Sequence, residues 1–240
     1  MRLKYILFIL TVFLLTSCQQ DDALPTDVGT GYLSLASIEV QAASKVSVPT
    51  RAVDAGLAIE IWNEAGDTQV KSFDAGDTVA SQKIELEAGN YLLKTYSPNY
   101  NTAYTNDEKG DAKYYAEQTF SIQEERVTYI DVAVPITNFG VKLALPDSFD
   151  THFSSYTFTV ELGSRSISLA NGETAYFDVP TETDNYTLAY SFTATNTDNE
   201  TMTQTGSYTN PLSGKMYEIT YSYATRALAC GVSPSADAAR

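Results

Sequence analysis

Tyr186-Thr187-Leu188-Ala189-Tyr190-Ser191-Phe192-Thr193 decides the fold class. Tyr186, Leu188, Tyr190 and Phe192 fall on one side of an extended chain, and Thr187, Ala189, Ser191 and Thr193 on the other. Side chains of a strand alternate with period two, so the stretch reads as a strand with one face in a core and one in water. The pattern repeats outward in both directions. Leu57, Ile59 and Ile61 alternate with Ala58, Glu60 and Trp62, and Thr128, Ile130, Val132, Val134 and Ile136 share a face. So do Phe139, Val141, Leu143 and Leu145, then Tyr156, Phe158, Val160 and Leu162, and last Tyr217, Ile219, Tyr221 and Tyr223. Past residue 18 no segment sustains an apolar period of 3.6, and the 17 tyrosines suit strands.

Turn chemistry separates these runs at Asn63-Glu64-Ala65-Gly66-Asp67, Ala88-Gly89-Asn90, Glu124-Glu125, Pro146-Asp147 and Asn171-Gly172. Roughly twelve short strands with a turn signal every 8–12 residues predict an all-β protein of antiparallel sandwiches. Twelve are too many for one comfortable sandwich. The expectation is two antiparallel β-sandwich domains in tandem, 31–136 and 137–225, with one larger sandwich as the alternative. Pro135 marks a strand leaving its sheet or lying at an edge. Residues 226–240 turn to Ala, Ser and Gly and are expected to form a disordered tail.

Ahead of the strands, a basic start (Arg2, Lys4) precedes an apolar run from Tyr5 to Leu15 and then small residues. This is a signal-peptide pattern over 1–17, too short for a bilayer core of about 30 Å. Leu15-Thr16-Ser17-Cys18 resembles a lipobox, which makes Cys18 the acylated first residue of the mature chain and its membrane anchor. Gln19-Gln20-Asp21-Asp22 resembles the acidic export tag of outward-facing bacterial surface lipoproteins. Residues 18–30 read as a flexible tether. The chain carries 15 basic and 30 acidic residues; removal of 1–17 takes Arg2 and Lys4 and no acid, leaving −17. That charge repels nucleic-acid phosphates and anionic headgroups, so nucleic acid is excluded as a partner and lipid holds the chain to its membrane. Cys230 is the one cysteine besides Cys18, so there is no disulfide framework and no cysteine metal site.

Catalytic constellations are missing from the sequence. His152 is the sole histidine and reads as structural, beside Phe149, Phe153 and Tyr156. There is no phosphate-binding glycine loop and no nucleophile elbow, and Glu124-Glu125 reads as an exposed turn. No catalytic residue, cofactor or metal is expected; a glycosidase's carboxylates, distant in sequence, are the one enzyme reading left open. The best binding candidate is the loop between Tyr96 and Tyr115, with Tyr96, Tyr100, Tyr104, Asn106, Asp107 and Asp111 as ligand contacts. Rings beside amides and carboxylates suit sugars, whose CH groups stack while their hydroxyls take hydrogen bonds. The competing reading makes Tyr96, Tyr114 and Tyr115 strand-end core residues. Asn106–Asp111 matches a calcium loop only loosely, since Lys109 intrudes and no closing glutamate follows. Trp62 reads either as a sugar platform or as part of a second core.

Several motifs occur together: Gly31-x-Leu33-x-Leu35, Gly89-Asn90-Tyr91-x-Leu93, and Tyr114-Tyr115-x-Glu117-x-x-Phe120. They continue in Thr137-Asn138-Phe139-Gly140-Val141-Lys142-Leu143, Phe149-x-x-x-Phe153-x-x-Tyr156-x-x-x-Val160, Ala175-Tyr176-Phe177 and Tyr217-x-Ile219-Thr220. Over about 31–223 the chain resembles a domain family of unknown function found in Bacteroidales surface lipoproteins. Its plan is also similar to fimbrillin-like anchor and adhesin lipoproteins, which have two sandwiches of transthyretin-like topology. The resemblance implies a non-catalytic outer-membrane lipoprotein facing outward, acting in adhesion or fimbria-like assembly with other surface subunits. A glycan-binding accessory protein is the alternative, and a hydrolase the remote one. In fimbrillins, cleavage after an arginine opens a groove for a neighbour's strand. Arg51, in Pro49-Thr50-Arg51-Ala52, is the matching protease-processing position, or else a plain surface arginine.

Overall fold

The computed structural model describes residues 29–41, 56–77, 83–181, 185–224 and 227–234. Cys18, the signal segment, most of the tether and Arg51 lie outside these residues.

Fifteen strands and one helical turn make up the described chain. The first seven are β1 (Thr30–Gln41), β2 (Ala58–Asn63), β3 (Gln69–Phe73), β4 (Ile84–Glu87), β5 (Gly89–Tyr96), β6 (Tyr115–Ile122) and β7 (Val127–Pro135). After β8 (Phe139–Ala144) comes the single turn α1 (Phe149–His152). The remainder are β9 (Phe153–Leu162), β10 (Arg165–Ser168), β11 (Thr174–Phe177), β12 (Thr187–Asn196), β13 (Thr201–Thr209), β14 (Met216–Ala224) and β15 (Ala227–Pro234).

They form four sheets, ordered β4-β1-β7, β3-β2-β5-β6, β11-β8-β14-β15 and β10-β9-β12-β13. Apart from β15, each strand of the second half stands where the strand seven earlier stands in the first. Even the exceptions to antiparallel pairing correspond: β1 runs parallel to β7, and β8 parallel to β14. The fold is therefore one seven-strand sandwich made twice, plus an added strand at the β14 edge.

Each half has its own core, built by the alternation. Leu33, Ile61, Leu93 and Val134 are fully buried in the first. In the second, Phe139, Phe158, Phe192 and Tyr217 are buried, and Phe192 stacks on Tyr221 with centroids 4.1 Å apart. Burying one such side chain contributes about 1.5–3 kcal/mol, so these inward rows dominate what holds each sandwich together. α1 packs its aromatic side on the core: Phe149 is buried and stacks on Phe153 at 4.5 Å, leaving His152 exposed at its end. Pro135 closes β7, an edge strand.

The expected disordered tail is corrected in part, because residues 227–234 form β15, antiparallel to β14 from Tyr217↔Pro234 to Ala224↔Ala227. Its stability as a strand comes from main-chain pairing with a neighbour already fixed in the sheet. β13 likewise carries no alternating apolar row in the sequence.

Candidate functional site

The long loop between β5 and β6 does not stand free as a ligand loop. It splits into two parts with different surroundings. The first part returns over the outer face of β3-β2-β5-β6. There the register aligns Ala58, Tyr96 and Tyr115 in one row, Glu60, Lys94 and Glu117 in the next, and Trp62, Leu92 and Thr119 in a third. Tyr100, from the loop, stacks on Tyr115 with centroids 4.6 Å apart and planes 14° from parallel, and lies 6.3 Å from Tyr96.

Polar groups hold these rings in place. The Tyr96 hydroxyl donates to Glu60 Oε1 (2.7 Å) and the Trp62 indole N–H to Glu60 Oε2 (2.8 Å). The Tyr115 hydroxyl donates to Glu117, whose Oε1 is also 3.6 Å from Lys94 Nζ; that ammonium lies 4.8 Å above the Trp62 ring. The hydrogen bond to Glu60 raises the Tyr96 phenol above its ordinary pKa, with burial adding to it. Burial, then the bond to Glu117, pushes Tyr115 well up. Both therefore remain neutral donors at physiological pH. Trp62, Tyr96, Tyr100 and Tyr115 are each only half-buried. The face thus offers four fixed rings interleaved with two carboxylates and an ammonium. Three rows span about 13 Å at ~3.3 Å rise per residue, enough for more than one sugar ring.

The second part of the loop is docked on the other sandwich. Lys113, 4% exposed, donates from Nζ to Thr102 O (2.6 Å) and Asp178 Oδ2 (2.7 Å). Asn138, 1% exposed, takes the Lys113 N–H at 3.0 Å and gives its own N–H to Asp111 O at 2.9 Å. The Tyr176 N–H donates to Lys109 O (2.7 Å), and Ser166 N–H to Asn106 Oδ1 (3.1 Å). The Arg165 guanidinium lies between the Tyr104 and Phe177 rings and donates to the carbonyls of Thr105, Glu108 and Tyr176. Gly110 turns with φ +69°, and a Cβ there would stand 2.8 Å from the Tyr104 ring. This half of the loop is a strap across the β10 and β11 edges.

The predicted contacts consequently part company. Tyr96 and Tyr100 join the aromatic face. Tyr104 and Asn106 are committed to the strap, while Asp107 (φ 70°) and Asp111 are exposed on it. The calcium-loop resemblance dissolves for the same reason: Asn106 caps Ser166, Glu108 accepts from Thr105, and Lys109 pairs with Glu173. Among the described residues no three His, Cys, Asp or Glu side chains gather as a metal site. Trp62, Glu60, Lys94, Tyr115 and Glu117 are the members of the face that the sequence did not assemble. Their common signal is an outward strand position carrying an aromatic or a charge. Beside the strap a cleft of about 680 Å³ opens among Tyr104, Arg165, Phe177, Asp178 and Tyr186.

The model of DUF4493, a domain of unknown function, matches residues 29–238. The chain belongs to this family. No curated protein matches it. Similar solved structures include a candidate cell adhesion protein from Bacteroides uniformis, 12% identical, covering 88% of this chain and 99% of its own, with a TM-score of 0.48. A second, from Bacteroides ovatus and described in the same terms, is 11% identical over 84% of this chain and 95% of its own, TM-score 0.47. A third, described as a candidate polysaccharide-binding protein from Bacteroides thetaiotaomicron, is 9% identical over 85% and 96%, TM-score 0.43.

Proposed function

We propose that this DUF4493 protein is a non-catalytic cell-surface adhesin, anchored through lipid on Cys18, that binds neutral glycans on the outer face of β3-β2-β5-β6. The observation that supports it is the stacked pair Tyr100–Tyr115 beside Tyr96 and Trp62, fixed by Glu60, Glu117 and Lys94. Pyranose CH groups pack on such ring faces, and the carboxylates and ammonium accept and donate to hydroxyls. Rings already held by hydrogen bonds lose little freedom on binding, which favours affinity. The two carboxylates and the acidic chain around them select against anionic polysaccharides, hence the neutral class.

The test is a glycan array and calorimetric titration of the full chain in detergent, with Trp62→Ala and Tyr100→Ala beside the wild type. Each variant is expected to lose about tenfold in affinity, the equivalent of one aromatic contact. Absence of any glycan ligand, or binding that neither variant weakens, defeats the reading.

A further inference from the structure

Every sandwich edge offers unpaired main-chain groups, and the described edges differ in how they are guarded. β3 has five residues with Lys71 among them; β4 has four with Glu85 and Glu87. β10 and β11 are four residues each and lie under the strap. β7 carries Asp131 and ends in Pro135, β6 carries Glu117 and turns straight into β7, and β15 ends in Pro234. β13 alone has none of these devices. It runs nine residues, Thr-Met-Thr-Gln-Thr-Gly-Ser-Tyr-Thr, without charge or proline, at the end of its sheet. The repeat sharpens the contrast. Its counterpart β6 is tied to the neighbouring strand by the Glu124-Glu125 turn and the Tyr114↔Ile136 bridge, whereas β14 has instead taken β15 as its neighbour.

We propose that β13 pairs antiparallel with β13 of a second copy of this chain, across a two-fold axis at Thr205, joining two four-stranded sheets into one of eight. The strand is self-complementary about that residue. In this register Thr201 faces Thr209 of the second copy and Thr203 faces Ser207, so hydroxyls meet on the outer face. Met202 faces Tyr208 on the inner side, where both are half-exposed in the single chain and a thioether against a ring is favourable. The hydroxyl rows already run across the β12–β13 boundary, Thr193 to Thr203 at 3.0 Å and Thr195 to Thr201 at 3.1 Å. The second copy extends them. Glu200, the nearest acid in sequence, meets Asn210 rather than another acid. In a chain of net charge −15, the outer strand positions of this sheet carry one charge, Glu161. Like copies that repel elsewhere can approach here. The contact is isologous and closes at two, giving a dimer and not a fibre.

Sedimentation of the full chain in detergent over a concentration series tests this. The wild type is expected to be a reversible dimer. Thr205→Lys places like charges directly opposite and weakens it by roughly tenfold or more, with an unchanged circular dichroism spectrum. Ser72→Lys, on the β3 edge, leaves it intact. Disulfide trapping checks the register independently of Thr205→Lys folding. Thr205→Cys cross-links to its copy on mild oxidation beyond the parent chain with Cys18 and Cys230, and Thr201→Cys, which faces Thr209, does not. A monomer at every concentration, a dimer indifferent to Thr205→Lys, open-ended oligomers, or equal trapping at 201 and 205 overturns the proposal.

Discussion

Asn138 shows how much one side chain can carry. It is nearly fully buried where the halves meet, and it satisfies two main-chain groups of the strap, the Lys113 N–H and the Asp111 carbonyl. Alanine there leaves both groups without a partner away from water, and an unmet buried group costs about 1–3 kcal/mol. Asn138→Ala is therefore expected to lower unfolding stability by about 3 kcal/mol in urea titration. A loss under ~1 kcal/mol would show the strap to be held by its other contacts. The aromatic face works differently at this scale. Glu60 is shared by Trp62 and Tyr96, so a change there releases two rings together.

Among the elements, the strap makes a prediction about pH. The hydrogen bond from Lys109, then that from the Ala170 N–H, holds the Glu173 carboxyl below its ordinary value of 4.5. A depressed carboxyl contributes stability above its unfolded pKa and loses it as pH falls through the folded one. The wild type should thus melt higher than Glu173→Gln at pH 7. The gap should close as pH drops below about 4.5 and shrink with added salt, since the pair is exposed. A gap that persists in acid would remove the ion pair from the account. How these elements could be read from sequence follows the same physics. Strands with an apolar inner row, such as Leu188, Tyr190 and Phe192, were legible. β13 was not, because its inner row is Met202, Gln204, Gly206 and Tyr208. Gly206 breaks the pattern for a steric reason: a Cβ there would stand 2.2 Å from the Tyr190 hydroxyl oxygen. β15 alternates Leu228, Cys230 and Val232 among small residues, too weak a signal until β14 supplies a partner. The loop's composition is the same whether it is free or docked, so only its contacts separate strap from site.

For the whole molecule, doubling one seven-strand plan sets where function can lie. In the second half the outer face of β10-β9-β12-β13 is a lawn of Ser and Thr. Its counterpart in the first half bears the rings and charges. The sequence puts Tyr96 and Tyr100 in one candidate loop, and their rings do lie 6.3 Å apart, but Trp62 is brought to Tyr115 only through the β2–β5–β6 register. That face holds the chain's single tryptophan, a reporter already in place. The most direct test of the account is Trp62 emission, followed while the full chain is titrated with neutral oligosaccharides that score on an array. A saturable change in emission is expected, abolished by Tyr115→Ala and left intact by Tyr186→Ala in the cleft beside the strap. Glycan binding that leaves Trp62 emission unmoved, or that Tyr186→Ala removes, would contradict it.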